Sequence, residues 1–128
     1  MPEDVLRAPD DLDGAAAMLH FGFSTEANAS DGAVVVRLHG ELDMATAPGL
    51  TRALGTALDG RPTALAVDLS DLRFLDSTGI RVLITACRRA GTEGCPFVLR
   101  APRRPVLKAL RLTGVDRLMV IEPDPVSS

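Results

Sequence analysis

Phe74-Leu75-Asp76-Ser77-Thr78-Gly79-Ile80 is the stretch on which the fold turns. Upstream, Leu65, Val67 and Leu69 alternate with Ala64, Ala66 and Asp68, which is the period of a half-buried strand. Downstream, Ile80, Leu83, Ile84 and Cys87 recur at helical spacing and mark one buried stripe. The segment therefore joins a strand to a helix, with Ser77 in the first helical turn. There the backbone N–H groups lack intrahelical partners and the macrodipole is positive, a setting that tolerates an added phosphate. The plain structural alternative is that Asp76 or Ser77 is only an N-cap, since both residue types are preferred there.

Outward from this junction the alternation of strand and helix repeats. Leu19, Phe21 and Phe23 alternate, Asn28-Ala29-Ser30-Asp31-Gly32 supplies turn chemistry, and Ala33 to His39 forms the next strand with Val34, Val36 and Leu38 toward the core. These two strands are expected to pair as an antiparallel hairpin. Thr46 caps a helix with Pro48 in its first turn, Leu50, Leu54, Ala57 and Leu58 on its apolar face, and Gly60 at its end. A strand from Thr63 to Leu69 leads to the Ser77 helix, which runs to about Ala90 with Gly91 as its stop. Pro96 to Arg100 is a further β segment, and Leu118 to Ile121 a final short one. Between them Pro105 opens a helix with Val106, Leu107 and Leu110 inward. Such alternation implies crossover connections and parallel strands after the hairpin, so the expected class is α/β with a mixed sheet.

A length of 128 residues predicts one domain with a real core. Residues 1–18 carry Glu3, Asp4, Asp10, Asp11 and Asp13 against a single Arg7 and are expected to form an acidic, mobile leader. Residues 19–122 form the folded domain and 123–128 a tail. With no Trp or Tyr and only four Phe, the core must be aliphatic. The net charge of −3 and the lack of a basic stripe interleaved with aromatics argue against nucleic-acid binding. No apolar run reaches membrane-spanning length, and the acidic N-terminus lacks a signal core, which predicts a cytoplasmic protein. Cys87 and Cys95 have neither metal-site nor redox-motif spacing and read as reduced thiols.

Parallel strands put their C-terminal ends on one edge of the sheet, the usual place for a site. The loop Gly40-Glu41-Leu42-Asp43, the segment Asp71 to Ser77 and the segment Ala101 to Arg104 all leave at that edge, so Asp43, Asp76 and Ser77 are expected to cluster. A serine nucleophile needs a base within hydrogen-bond reach, and neither His20 nor His39 is placed to serve Ser77. No nucleophile elbow, phosphate-cradling loop or dinucleotide fingerprint occurs, so no catalytic residue, cofactor or enzyme activity is expected. Glu41, Asp43, Asp68 and Asp76 could together hold a divalent cation, but carboxylates near helix starts are more often caps, and no metal is expected. If Ser77 is instead a substrate, a phosphoryl group would bring about −1.5 to −2 charges to the helix start. The dipole would offset that by roughly 0.3–1 kcal/mol. Little unfolding and a large change in surface potential would follow, which is how a docking switch behaves.

Four segments together resemble a known family. Val35-Val36-Arg37-Leu38-His39-Gly40-Glu41-Leu42-Asp43, Val67-Asp68-Leu69-Ser70, the Asp76-Ser77-Thr78-Gly79-Ile80 junction and Leu112-Thr113-Gly114-Val115 are similar, in order and spacing, to the STAS domain of bacterial anti-sigma factor antagonists. The resemblance implies a single domain with helices mainly on one face of the sheet. It also implies a non-catalytic role: binding an anti-sigma factor, usually a serine kinase, and so releasing a sigma factor. By resemblance Ser77 is the phosphoacceptor, phosphorylated by that kinase and restored by a serine phosphatase. Asp76, Thr78, Gly79 and Ile80 form the docking surface, with Asp43 and Glu41 on the adjoining loop. Arg81 departs from the family pattern by making that face more basic, and Arg103 and Arg104 either approach a phosphate on Ser77 or point into water. Domains of this family also serve as scaffolds in stress-sensing assemblies and as soluble subunits of membrane transport complexes, the alternative role for this chain.

Overall fold

The computed structural model describes residues 21–27 and 31–123; the leader at 1–18, the turn at 28–30 and the residues after Pro123 lie outside them. One sheet takes its five strands in chain order: β1 (Phe21–Ala27), β2 (Ala33–Leu42), β3 (Ala64–Leu75), β4 (Phe97–Arg100) and β5 (Val120–Glu122). Helix α1 (Ala47–Asp59) joins β2 to β3, and α2 (Ser77–Thr92) joins β3 to β4. Helix α3 (Arg104–Leu112) and a 3-10 turn at Val115–Arg117 join β4 to β5.

The expectation of a mixed sheet founded on an N-terminal antiparallel hairpin is corrected by the pairing. The four strands β2 to β5, which carry the core, are all parallel. Antiparallel pairing is confined to the edge strand β1, where Phe21 lies across from Gly40 and Ala27 across from Val34. Every connection after β2 is a crossover that returns the chain to its starting edge, and parallel pairing requires that return.

Both central strands run further than the alternation of their side chains predicts. The strand expected to end near His39 continues to Leu42, and the one expected to end at Leu69 continues to Leu75. The pair slips register between Arg37 and His39 and again between Gly40 and Glu41. Gly40, at φ 92°, takes up the second slip in a left-handed conformation that only glycine adopts without strain. Beyond the slips, Leu42 sits beside Leu75. The buried residues Leu69, Leu72 and Leu75 fall three apart rather than two, so the extension hides from a period-two reading.

Val36 and Leu38, Leu65, Val67 and Leu69, and Phe97 and Leu99 are buried against Leu50, Leu54 and Leu58 of α1, Ile80 and Leu83 of α2, and Val106 and Leu110 of α3. Arg37 and His39, which alternate with them on β2, are exposed. Helix α1 begins and ends where the sequence places it. Helix α2 passes through Gly91 to Thr92, so the glycine expected as its stop is a helical residue. The Cys95 thiol is buried in the loop before β4, close to the Pro96 carbonyl (3.5 Å), and burial raises the thiol pKa of both Cys95 and Cys87. Among the described residues, no helix is long and apolar enough to cross a membrane.

Candidate functional site

The extended ends of β2 and β3 bring the two halves of the site together. The Asp76 N–H donates to the Leu42 carbonyl (3.1 Å), which clamps the start of α2 beside the Glu41–Asp43 turn. Asp76 then caps α2: its Oδ1 accepts from the N–H groups of Thr78 (2.9 Å) and Gly79 (3.1 Å). Ser77 is therefore the first helical residue and not the cap. Its side chain is exposed, and its hydroxyl has no hydrogen-bond partner among the described residues. Asp76→Ala is expected to cost about 1 kcal/mol and to lower the melting temperature by a few degrees, measured by circular dichroism. An unchanged melt would mean that the cap does not hold this turn.

The turn on the other side is tied down by Asp43 and Thr46. Asp43 Oδ1 accepts from the N–H groups of Ala45 (3.0 Å) and Thr46 (3.1 Å). Thr46, expected as the cap of α1, makes no side-chain cap. Its hydroxyl donates to the Glu41 carbonyl (3.1 Å) and accepts from the Asp43 N–H (2.9 Å), because the tight turn brings those groups nearer than the helix amides. Glu41 and Asp43 are half-buried.

The expected site residues thus occupy different depths. Ser77 and Arg81 are exposed, Asp76 and Thr78 half-buried, and Gly79 and Ile80 buried. Gly79 lies over Leu42 and Leu75, where an added Cβ would come within 2.6 Å of Leu42 Cγ. Ile80 belongs to the core. Gly79 has no side chain and that of Ile80 is buried, and the close packing of both beneath the first turn of α2 fixes where Ser77 emerges.

The sequence reading missed an apolar groove between α1 and α2. It encloses about 440 Å³, and its lining includes Met44, Pro48, Thr51, Thr78, Arg81 and Val82. Met44 is 75% exposed at its mouth, and Phe74 is 49% exposed near the end of β3. The available signal was an unbranched, adaptable methionine directly after Gly-Glu-Leu-Asp, at a position where a helix approach is usually polar. Arg89, also in the lining, bonds to Asp59 (2.6 Å) and Glu93 (2.8 Å) and ties α1 to α2.

Arg103 does not reach Ser77. Its Nε donates to the Ser70 carbonyl (2.5 Å), and its Nη2 lies 3.8 Å from Asp71. Arg104 is exposed. Asp68 accepts from the N–H (2.9 Å) and hydroxyl (2.6 Å) of Ser70. With Asp43, Asp68 and Asp76 so engaged, no group of three or more His, Cys, Asp or Glu that could hold a metal gathers among the described residues. His39 lies across from Gly22, its ring over that glycine, and is absent from the turn around Ser77.

Comparison with known proteins places this geometry. The family described as "Mlab, STAS domain" matches residues 25–122. The anti-sigma-F factor antagonist RsfB of Mycobacterium tuberculosis is 32% identical over 87 residues, which cover 68% of this chain and 70% of that protein. The crystal structure of an anti-sigma factor antagonist from Mycobacterium paratuberculosis superposes with a TM-score of 0.74 at 33% identity, covering 84% of this chain and 89% of that one. The anti-sigma factor antagonist SpoIIAA in its unphosphorylated form superposes at 0.68 with 24% identity over 83% of this chain and 91% of that one, a likeness of fold alone. With a family match over most of its length and the strand-to-helix junction in place, this chain belongs to the STAS-domain family.

Proposed function

We propose that this protein is an anti-sigma factor antagonist: it binds an anti-sigma factor that is a serine kinase, and so frees a sigma factor, until phosphorylation of Ser77 ends the binding. The observation that carries this reading is the exposed Ser77 hydroxyl, unbonded among the described residues, at the first position of α2, flanked by Asp76 and an apolar groove. Asp76 already caps the helix, which leaves the serine no structural duty there. In the proposed step the γ-phosphoryl of ATP is transferred to Ser77 Oγ, the hydroxyl proton departs and ADP leaves. A serine phosphatase later returns the hydroxyl by hydrolysis. The added charge lies on a surface that a partner must cover, so it changes docking more than folding. Support for the role comes from the relatives, which carry the name anti-sigma factor antagonist.

Incubation with an anti-sigma serine kinase and ATP is expected to add one phosphate, mapped to Ser77 by mass spectrometry. Ser77→Ala is expected to remove it. Phosphate at another residue, or none with any kinase encoded near this gene, would overturn the assignment.

A further inference from the structure

We infer that Arg81 is the built-in counter-ion of a phosphoryl group on Ser77, an inference that rests on the reading of Ser77 just given. Such a group would arrive at a helix end whose donors are largely spent. The N–H groups of Thr78 and Gly79 are bonded to the Asp76 carboxylate, and that of Asp76 itself to the Leu42 carbonyl (3.1 Å). Three of the four amides that make a helix start attractive to anions are therefore occupied. The carboxylate that occupies two of them repels a neighbouring phosphate. A cation has to offset that repulsion.

Among the arginines of α2, Arg81 is the one within reach. It follows Ser77 by four residues on α2, so the two side chains are neighbours on one face, with Cβ atoms about 5–6 Å apart. Helical side chains lean toward the N-terminus, which aims Arg81 at Ser77. Arg81 is exposed and holds no ion pair among the described residues. Arg89 on the same helix is engaged with Asp59 and Glu93. Arg88 is eleven residues beyond Ser77, roughly 16 Å along the axis. A guanidinium also suits the task, since its planar fork can bond two phosphate oxygens at once.

Arg81 lines the groove together with Thr78 and Val82. Drawn onto the phosphate, its guanidinium leaves that lining. One modification then alters two parts of the docking face, the charge at Ser77 and the rim of the apolar groove.

Replacing Ser77 by phosphoserine during translation allows a test without any kinase. A nearby cation favours the dianion, so the second pKa of the phosphate, read by phosphorus NMR, is expected to be lower with Arg81 than with Arg81→Gln. An exposed pair at this spacing sets a difference of roughly 0.3 pH unit. Arg81→Lys should restore part of it, and the Arg81 Nε–H resonance should move with the same pH midpoint as the phosphate. Identical titrations for Arg81 and Arg81→Gln, or an Nε–H resonance indifferent to the phosphate, would overturn the inference. The phosphoserine protein's affinity for an anti-sigma factor tests the underlying reading separately. Unchanged affinity alongside an Arg81-dependent titration would remove the switch and leave the counter-ion standing.

Discussion

Ser77→Asp is expected to fold as the parent does and to bind an anti-sigma factor at least tenfold more weakly, a loss of about 1.4 kcal/mol. Folding should survive because the side chain is exposed and no described residue depends on its hydroxyl. A carboxylate in the first turn of a helix is also favoured by the dipole. Binding should suffer because the new charge joins Asp76 and Asp43 on one small surface beside the apolar mouth at Met44. A partner that covers this surface must desolvate the added charge, a cost that an exposed counter-ion at Arg81 offsets only in small part. Titration calorimetry at two salt concentrations checks the claim. The loss should shrink as salt rises, since the repulsion between exposed charges is screened over about 10 Å at 0.1 M. Equal affinity for Ser77 and Ser77→Asp would sink the electrostatic account of the switch.

The features legible in the sequence were those written in local chemistry. Helix α1 showed itself through Thr46, Pro48 and Gly60, and α2 through the change from period two to helical spacing at Asp76–Ser77. The features that escaped depend on pairing between distant segments. Nothing near Leu42 says that its carbonyl will take the Asp76 N–H, because that bond exists only after two register slips have brought Leu42 beside Leu75. The slip at Gly40 was visible as a glycine but read as the start of a loop, since a strand that bends and then continues looks like a strand that stops. Thr46 was assigned the right place and the wrong bond: its hydroxyl serves the turn behind it. The groove was invisible for a related reason. Its walls come from α1 and α2, whose separation is set by the shared core and by Arg89, bonded to Asp59 and the Gly55 carbonyl of α1. Parallel pairing from β2 onward followed from the crossovers, whereas the edge strand β1 led to too large a role for antiparallel pairing in the sheet as a whole.

Gly79→Val is expected to give the larger loss of stability, about 3 kcal/mol, the upper range for overpacking a filled core. A Cβ at position 79 would stand 2.6 Å from Leu42 Cγ, 2.7 Å from Leu42 Cδ2 and 2.9 Å from Leu75 Cδ1. Real side chains do not tolerate such distances. The two leucines have nowhere to go, being 0% and 6% exposed at the meeting point of β2, β3 and α2. The first turn of α2 must therefore lift, which strains the bond from the Asp76 N–H to the Leu42 carbonyl and carries Ser77 away from the Glu41–Asp43 turn. Gly49→Ala on α1 is the control, because nothing lies within 4 Å of a Cβ built there. It should stabilise by roughly 0.5–1 kcal/mol through helix propensity alone. Urea denaturation separates the two variants, and the rate of phosphorylation at Ser77 should fall in Gly79→Val and stay unchanged in Gly49→Ala. If Gly79→Val matched the parent in both stability and phosphorylation, the junction could not be as tightly packed as the presentation of Ser77 requires.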